Sequence, residues 1–281
     1  MTNKIDLESV IRSKMPIGVR FIPGFAIKGL GKFIRIDDIN HVLENYSHLS
    51  AMDFIRETLE YIGVTYQVHG VENIPKDSKI VFASNHPLGG LDGLILALAL
   101  EPYVTSIKLI VNDLLMNLEP LRSLFVPINK HGSQSHTYAV GISELYESDD
   151  AIITFPAGLC SRLTDGRVQD PPWKRNFIVK SQKSGRTILP VFVSGSNSRK
   201  FYKASRLRKS LNIGTNLEMI MLPAEMFDQK GKHIDIFIGK AIEPNRSMPA
   251  HMWTEEIRKA VYALAPGSAK KLPPKRKGIE G

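Results

Sequence analysis

Residues 79–100 read KIVFASNHPLGGLDGLILALAL. The apolar, β-prone residues 79–83 predict a buried strand, and the apolar run 93–100 predicts a buried helix. Between them, His86 and Asp92 lie on a turn that carries two adjacent glycines. Because ligands of open α/β sheets bind beyond the carboxyl ends of the strands, this turn is the first candidate for a functional site.

The pair formed by His86 and Asp92 has two interpretations. A carboxylate beside a histidine fixes its tautomer and stabilises the imidazolium, which makes the histidine a general base. Alternatively, Asp92 caps the helix that follows and His86 has no chemical role. The turn alone does not separate the two interpretations.

Two later segments repeat the pattern of a strand that ends in a polar, glycine-bearing turn. Residues 151–162 read AIITFPAGLCSR, and residues 187–195 read TILPVFVSG, with Asn197 and Arg199 close behind. From residue 71 onward, strands and helices alternate, which predicts an α/β fold with a mostly parallel, twisted sheet flanked by helices. The predicted strands are 80–84, 107–111, 152–155, 188–194, 218–222 and 234–238, and the predicted helices are 94–100, 135–147, 173–184, 199–211 and 253–264.

The pattern divides the chain into three regions. Residues 1–65 are predicted to be mainly helical, and the apolar and cationic stretch 15–35 suits either a membrane interface or packing over the sheet. Residues 66–265 form the predicted α/β domain. Residues 266–281, rich in Gly, Pro and Lys, are predicted to be a basic disordered tail.

Charge and composition restrict the partners. The 281 residues carry 37 Lys and Arg against 28 Asp and Glu, a net charge of +9, which favours phospholipid surfaces, nucleic acid or acidic carrier proteins. The single cysteine, Cys160, excludes an internal disulfide, and the histidine spacing does not suggest a metal site. No signal peptide or membrane-spanning stretch is expected, so any membrane contact is predicted to be peripheral.

Taken together in this order, the three turns resemble the glycerolipid acyltransferase superfamily, which includes the lysophosphatidic acid acyltransferases. The resemblance covers about residues 71–240, and it is greatest to the hemolysin-like branch, whose members include enzymes that build ornithine and glycine lipids. The family carries the motifs N-H-x-x-x-x-D and F-P-E-G-T-R-S. Here five residues separate His86 from Asp92, Ala157 replaces the motif glutamate, and Cys160 replaces the motif arginine. We expect the extra residue to be absorbed as a bulge at Gly89 and Gly90, because glycine accepts unusual backbone angles.

The resemblance implies an O-acyltransferase that uses acyl carrier protein or acyl-CoA as cosubstrate and needs no other cofactor and no metal. His86 would deprotonate the hydroxyl of a lyso-lipid, and Asp92 would orient His86. The family arginine grips the acceptor's phosphate, so its replacement favours a lyso-aminolipid at least as much as lysophosphatidate. The residues expected to bind the oxyanion, donor or acceptor are Asn85, Gly158, Ser161, Arg162, Lys174, Asn197 and Arg199.

The predicted location is the cytoplasm, peripheral on the inner face of the cell membrane, with no nucleic acid as partner. One alternative is a cationic membrane- or nucleic-acid-binding protein that has lost catalysis. Another is a hydrolase that pairs Ser161 or Ser194 with His86, although neither serine lies in a Gly-x-Ser-x-Gly elbow.

Overall fold

A computed structural model describes residues 4–14, 23–76, 79–128, 135–164, 166–214 and 216–267. Its helices are α1 (Leu7–Lys14), α2 (Gly24–Ile34), α3 (Ile36–Tyr46), α4 (Ala51–Ile62), α5 (Gly90–Leu100), α6 (Ser135–Glu147), α7 (Asn176–Ser184), α8 (Arg199–Ser210), α9 (Leu222–Phe227) and α10 (Ala250–Ala263). Its strands are β1 (Thr65–His69), β2 (Ile80–Ser84), β3 (Ile107–Asn112), β4 (Phe125–Ile128), β5 (Ala151–Thr154), β6 (Arg162–Thr164), β7 (Arg167–Gln169), β8 (Thr187–Val193) and β9 (His233–Ile238).

The main sheet has seven strands in the order β1-β9-β8-β2-β5-β3-β4. Its pairings are parallel except for the antiparallel pair of β8 and β9. The mostly parallel α/β fold expected from the alternating pattern is confirmed. Since β8, β2 and β5 are parallel neighbours, the three polar turns that follow them lie together at the carboxyl ends of these strands.

Alternating side chains of the strands build a core on each face of the sheet. In β2, Ile80 and Phe82 face one core with α3, α4 and α5, whereas Val81 and Ala83 face the other with α6, α7 and α10. With both faces covered, the central strands are mostly apolar, which is typical of parallel sheets.

The segment 218–222 was predicted as a strand, and this prediction is wrong. Leu217–Met221 is a 3-10 helix that leads into α9, whose second residue is Pro223. Proline suits the first turn of a helix because it has no N–H to leave unpaired there. In addition, the carboxylate of Glu218 forms ion pairs with Arg162 and Arg208, which hold this 3-10 helix in place.

Several strands were not expected. β1 and β4 form the two edges of the sheet, and β6 pairs with β7 in a separate small hairpin. β4 carries Pro127, which an edge strand accommodates because one side of its backbone needs no hydrogen-bonded neighbour.

The helices that precede the sheet differ in how far their apolar side chains are buried. α3 and α4 contribute Val42, Leu43 and Phe54 to the core, so they pack over the sheet. α2 instead exposes two aromatic rings. Within the described residues, no helix is both long and apolar enough to cross a bilayer. Residues 15–22 of the apolar and cationic stretch, and residues 268–281 of the predicted tail, lie outside the described residues.

Candidate active site

The turn after β2 brings the histidine and the aspartate together. His86 Nδ1 lies 2.9 Å from Asp92 Oδ2, so the contact expected from the sequence is confirmed. The same oxygen also accepts the N–H of Leu88 at 2.9 Å. Because an ionised carboxylate only accepts hydrogen bonds, Nδ1 carries the proton of the neutral ring.

Gly89 adopts a backbone conformation in this turn that favours glycine. Gly89 has a φ of 73°, in the left-handed region that side chains disfavour, and α5 begins at Gly90. A Cβ at position 89 would lie 3.0 Å from Leu222 and 3.2 Å from the sulfur of Cys160. Gly89 is therefore the position in this turn that favours glycine, and close packing leaves no room for a larger residue.

The imidazole of His86 is held on its face as well as at Nδ1. It stacks on Phe155, which follows β5, with 4.1 Å between the ring centroids. The side chain of His86 is 17% exposed, and among the described residues no hydrogen bond engages Nε2. The ring is thus held in place, and Nε2 of this tautomer has a lone pair that can accept a proton.

Asp92 is fully buried. Burial raises the pKa of its carboxyl above the ordinary value, although the hydrogen bonds from His86 and Leu88 act in the opposite direction. In such surroundings the ionised carboxylate is stabilised strongly by a positive charge beside it, and protonation of His86 would supply that charge.

The turn after β5 joins the His86 turn through Ser161. The N–H of Ser161 donates to the carbonyl of His86 at 2.7 Å, and its hydroxyl donates to Asp170 at 2.5 Å. Ser161 is buried, and its hydroxyl donates to the carboxylate of Asp170 rather than to His86, which disfavours the hydrolase alternative. Ser194 instead accepts a hydrogen bond from the N–H of Asp235 on β9.

Gly158 and Lys174 lie side by side at the exposed rim of the site. Gly158 has a φ of 64°, and the ammonium of Lys174 occupies the space that a side chain at position 158 would need. The N–H of Gly158 already donates to the carbonyl of Phe155 at 2.9 Å. The N–H of Gly158 is thus already engaged, whereas the ammonium of Lys174 brings positive charge to this turn.

Arg162 is buried, and its guanidinium is engaged by other residues of the protein. Its guanidinium donates to Glu218 at 2.8 Å and to the carbonyl of Cys160 at 2.6 Å, and it lies over the ring of Phe201. Arg208 binds the second oxygen of Glu218. The expected role of Arg162, gripping a phosphate, would require these buried contacts to break.

Asn85 joins β2 to β8. Its amide donates to the carbonyl of Val193 at 2.9 Å and accepts the N–H of Val193 at 2.7 Å. Both hydrogen-bonding groups of its side chain are thus engaged in holding the two strand ends together.

Asn197 and Arg199 follow β8 at the same edge of the sheet. Asn197 is 5% exposed, and neither polar atom of its amide has a hydrogen-bond partner among the described residues. Arg199 is exposed at the first position of α8. Buried polar groups are normally paired, so the unpartnered amide of Asn197 is an exception within the described residues.

Cys160 is a packing residue in this site. It is 1% exposed, and burial raises the pKa of its thiol to about 12. The thiolate that would react is therefore not populated near neutral pH. In the described part of the chain, His, Cys, Asp and Glu side chains do not gather in groups of three that could hold a metal ion.

Sequence reasoning missed Asp170. It is 3% exposed, and its carboxylate accepts hydrogen bonds from the His86 backbone, Ser161 and Trp173. It precedes a proline pair and has no motif around it, so the only available signal was a lone aspartate close behind the second turn.

The chain is similar over most of its length to known proteins. A family model described as acyltransferase matches residues 9–265. The chain is 38% identical over 264 residues to a lyso-glycine lipid O-acyltransferase of Bacteroides thetaiotaomicron, covering 92% of this chain and 97% of that protein. It is 36% identical over 265 residues to a lyso-glycine lipid O-acyltransferase of Phocaeicola vulgatus, covering 92% and 95%. A crystal structure of the 1-acyl-sn-glycerophosphate acyltransferase PlsC from Thermotoga maritima aligns with a TM-score of 0.47 at 17% identity, covering 85% of this chain and 92% of that one.

Proposed function

The chain belongs to the acyltransferase family whose model spans residues 9–265, and we propose that this enzyme moves a fatty acyl group from a thioester to the hydroxyl of a lyso-lipid. The observation that carries the proposal is the buried contact of 2.9 Å between Asp92 and Nδ1 of His86, at the carboxyl edge of a parallel sheet. The histidine is thereby set up as a base. This arrangement favours catalysis over the alternative of an inactive binding protein.

In the proposed mechanism, the acceptor's hydroxyl gives its proton to Nε2 of His86 as its oxygen attacks the thioester carbonyl carbon. Asp92 stabilises the imidazolium that forms. When the tetrahedral intermediate collapses, the carbon–sulfur bond breaks, and the leaving thiolate recovers the proton from His86. The products are the acylated lipid and a free thiol. Lys174, beside Gly158, supplies positive charge for the oxyanion or for an anionic part of a substrate.

The proposed donor is acyl carrier protein or acyl-CoA, both of which are thioesters with anionic parts. α8 offers them a cationic surface, because Arg199, Lys200 and Lys203 lie at its amino-terminal end, next to the site. Release of thiol from each donor, measured with the same acceptor, distinguishes the two. Preference for one donor that is lost at high salt would show that these charges select it.

The proposed acceptor is a lyso-aminolipid, and a lyso-glycine lipid in particular. Both curated relatives are named for that substrate. In addition, Arg162 is engaged by Glu218, so the turn lacks an accessible arginine at the position where the resemblance expected a phosphate ligand. A competition assay with lyso-glycine lipid, lysophosphatidate and one donor tests this. Preference for lysophosphatidate that disappears in Arg162→Ala would refute it.

We propose that the enzyme associates peripherally with an anionic membrane surface, on the inner face of the cell membrane. Phe25 and Phe33 of α2 are 80% and 51% exposed, with Lys28 and Lys32 on the same side of the helix. α2 contacts the 3-10 helix Leu217–Met221, which contacts α8 in turn. Leu207 on α8, Leu211 directly after it and Ile220 on the 3-10 helix are exposed apolar residues that extend the surface. Apolar side chains among cations suit the acyl boundary beneath anionic headgroups.

Vesicle flotation tests this surface with a matched control. Phe25→Ser combined with Phe33→Ser should weaken binding to anionic vesicles, and added salt should weaken it further. Val179→Ser removes an apolar side chain that is 48% exposed on α7, which packs on the opposite face of the sheet, and should leave binding unchanged. Equal binding of all variants would exclude α2 as the contact.

A further inference from the structure

We propose that Asp170 is a positioning residue whose carboxylate holds His86 in its reactive alignment by joining the turn after β2 to the turn after β5. The proposal rests on the proposed function, since it assigns Asp170 a part in the same transfer. It concerns a residue that belongs to neither motif of the resemblance. Asp170 follows β7 and precedes α7.

The carboxylate of Asp170 is the meeting point of three donors. Its Oδ1 accepts the backbone N–H of His86 at 3.2 Å and the hydroxyl of Ser161 at 2.5 Å. Its Oδ2 accepts the indole N–H of Trp173 at 2.8 Å. Asp170 thus contacts both catalytic turns and the segment that leads into α7.

These contacts fix the backbone of His86 from both sides. Its N–H donates to Asp170, and its carbonyl accepts the N–H of Ser161 at 2.7 Å. With Asp92 on Nδ1 and Phe155 against the ring, the position of Nε2 is determined by the backbone as well as by the side chain. A base must sit within hydrogen-bond reach of the proton it takes, so small shifts of this backbone affect the rate directly.

Asp170 is itself anchored by α10. Its backbone N–H donates to the hydroxyl of Tyr262 at 2.7 Å, and its carbonyl accepts a hydrogen bond from Arg258 at 3.1 Å. The carboxylate is therefore supported from outside the two turns that it joins. This is the arrangement expected of a rigid second layer around a reactive group.

A carboxylate suits this position better than an amide. All three of its partners donate, and an ionised carboxylate offers only acceptors. An asparagine would turn an N–H group toward at least one of the donors and leave a buried conflict. The carboxylate also adds negative charge near His86, which favours the imidazolium of the transition state.

The experiment compares Asp170→Asn with Trp173→Phe. Both lose a contact of the same carboxylate, but only the first disturbs the link to His86. In Asp170→Asn we expect kcat to fall about 10- to 100-fold while the KM for the acceptor changes by less than about twofold. In Trp173→Phe we expect a decrease in kcat of less than about threefold, because the contacts to His86 and Ser161 remain.

Proton NMR provides a readout that is independent of activity. The proton of His86 Nδ1, hydrogen-bonded to Asp92, gives a downfield resonance that His86→Ala identifies by its loss. It should shift or broaden in Asp170→Asn and stay in place in Trp173→Phe. If acyl transfer to lyso-lipids fails altogether, this resonance still tests the positioning role, so the two proposals can fail separately.

Two results would overturn the proposal. One is a kcat or a His86 resonance in Asp170→Asn that matches the unmodified protein. The other is equal loss of kcat in both variants in step with a lower melting temperature, which indicates a purely structural role. Should Asp170→Asn not fold, Ser161→Ala takes its place, because it breaks one contact of the same bridge; an unchanged resonance and kcat there would count equally against the proposal.

Discussion

Replacing Asp92 with asparagine separates the charge of this residue from its shape. Asparagine can accept the same hydrogen bonds from His86 and Leu88 with its oxygen. Its NH2 group would take the place of Oδ1, which is buried and has no hydrogen-bond partner among the described residues. The turn should therefore keep its geometry, and the variant should lose only the negative charge.

The expected loss follows from the contact distance. With Nδ1 and Oδ2 2.9 Å apart, the centres of the imidazolium and carboxylate charges are about 4 Å apart, and at an effective dielectric of about 20 they attract by about 4 kcal/mol. Because this attraction exists only while His86 is protonated, its loss raises the barrier, and kcat should fall by about a thousandfold. Stability should be unchanged or higher, since a fully buried charge is removed.

Thiol release at saturating donor and acceptor measures kcat, and thermal unfolding measures stability. Asp235→Asn is the matched control. Asp235 also forms an aspartate–histidine pair, with His69 at 2.8 Å, but the side chains of both residues are 37% exposed. That variant should keep its activity. A kcat for Asp92→Asn within tenfold of the unmodified enzyme, or an equal loss in Asp235→Asn, would refute the charge argument.

Further changes test other parts of the structure. His86→Ala should abolish acyl transfer and leave the melting temperature nearly unchanged, because a turn histidine buries little apolar surface; near-normal activity would exclude it as the base. Arg186→Met should lower the free energy of unfolding by about 3 kcal/mol or more, measured in urea, because a buried guanidinium that serves backbone carbonyls is lost. Cys160, whose thiol pKa is raised by burial to about 12, should resist a thiol reagent at pH 8 in the native protein and react fully in denaturant. Burial alone would raise the pKa of Glu218, but its hydrogen bonds and nearby arginines lower it on balance, so its stabilisation is complete above the unfolded pKa of about 4.3 and is lost as pH falls through the lower folded value. Glu218→Gln should therefore be less stable than the unmodified protein at neutral pH, and the two unfolding curves should converge in acid.

The strands and turns that carry the site were predictable because their signals are local. β2 is apolar on both faces, the glycine-bearing turn follows it at once, and α5 is apolar apart from Asp92 in its first turn. β5 and β8 likewise run directly into polar turns, whereas the strand order that brings the three turns together is seen only in the structure. Local pattern and tertiary packing agree in these segments.

The contacts that support the site could not be predicted, because they depend on residues far apart in the chain. Arg162 looked available for a substrate, but its partner Glu218 lies in a segment whose apolar pattern predicted a strand. Arg186 stands between Gly185 and Thr187 and resembles a surface cation, yet it donates to carbonyls at the end of α6. Neither pairing leaves a trace in the sequence around the residue itself.

The dependence of Asp170 on α10 has a consequence for the order in which the enzyme is made. His86, Asp92 and Ser161 leave the ribosome well before Arg258 and Tyr262, the two residues that hold the backbone of Asp170. A nascent chain can therefore form the histidine–aspartate pair while the bridge behind it is still unsupported. If Asp170 positions His86 as proposed, the final alignment of His86 has to wait for α10 to dock.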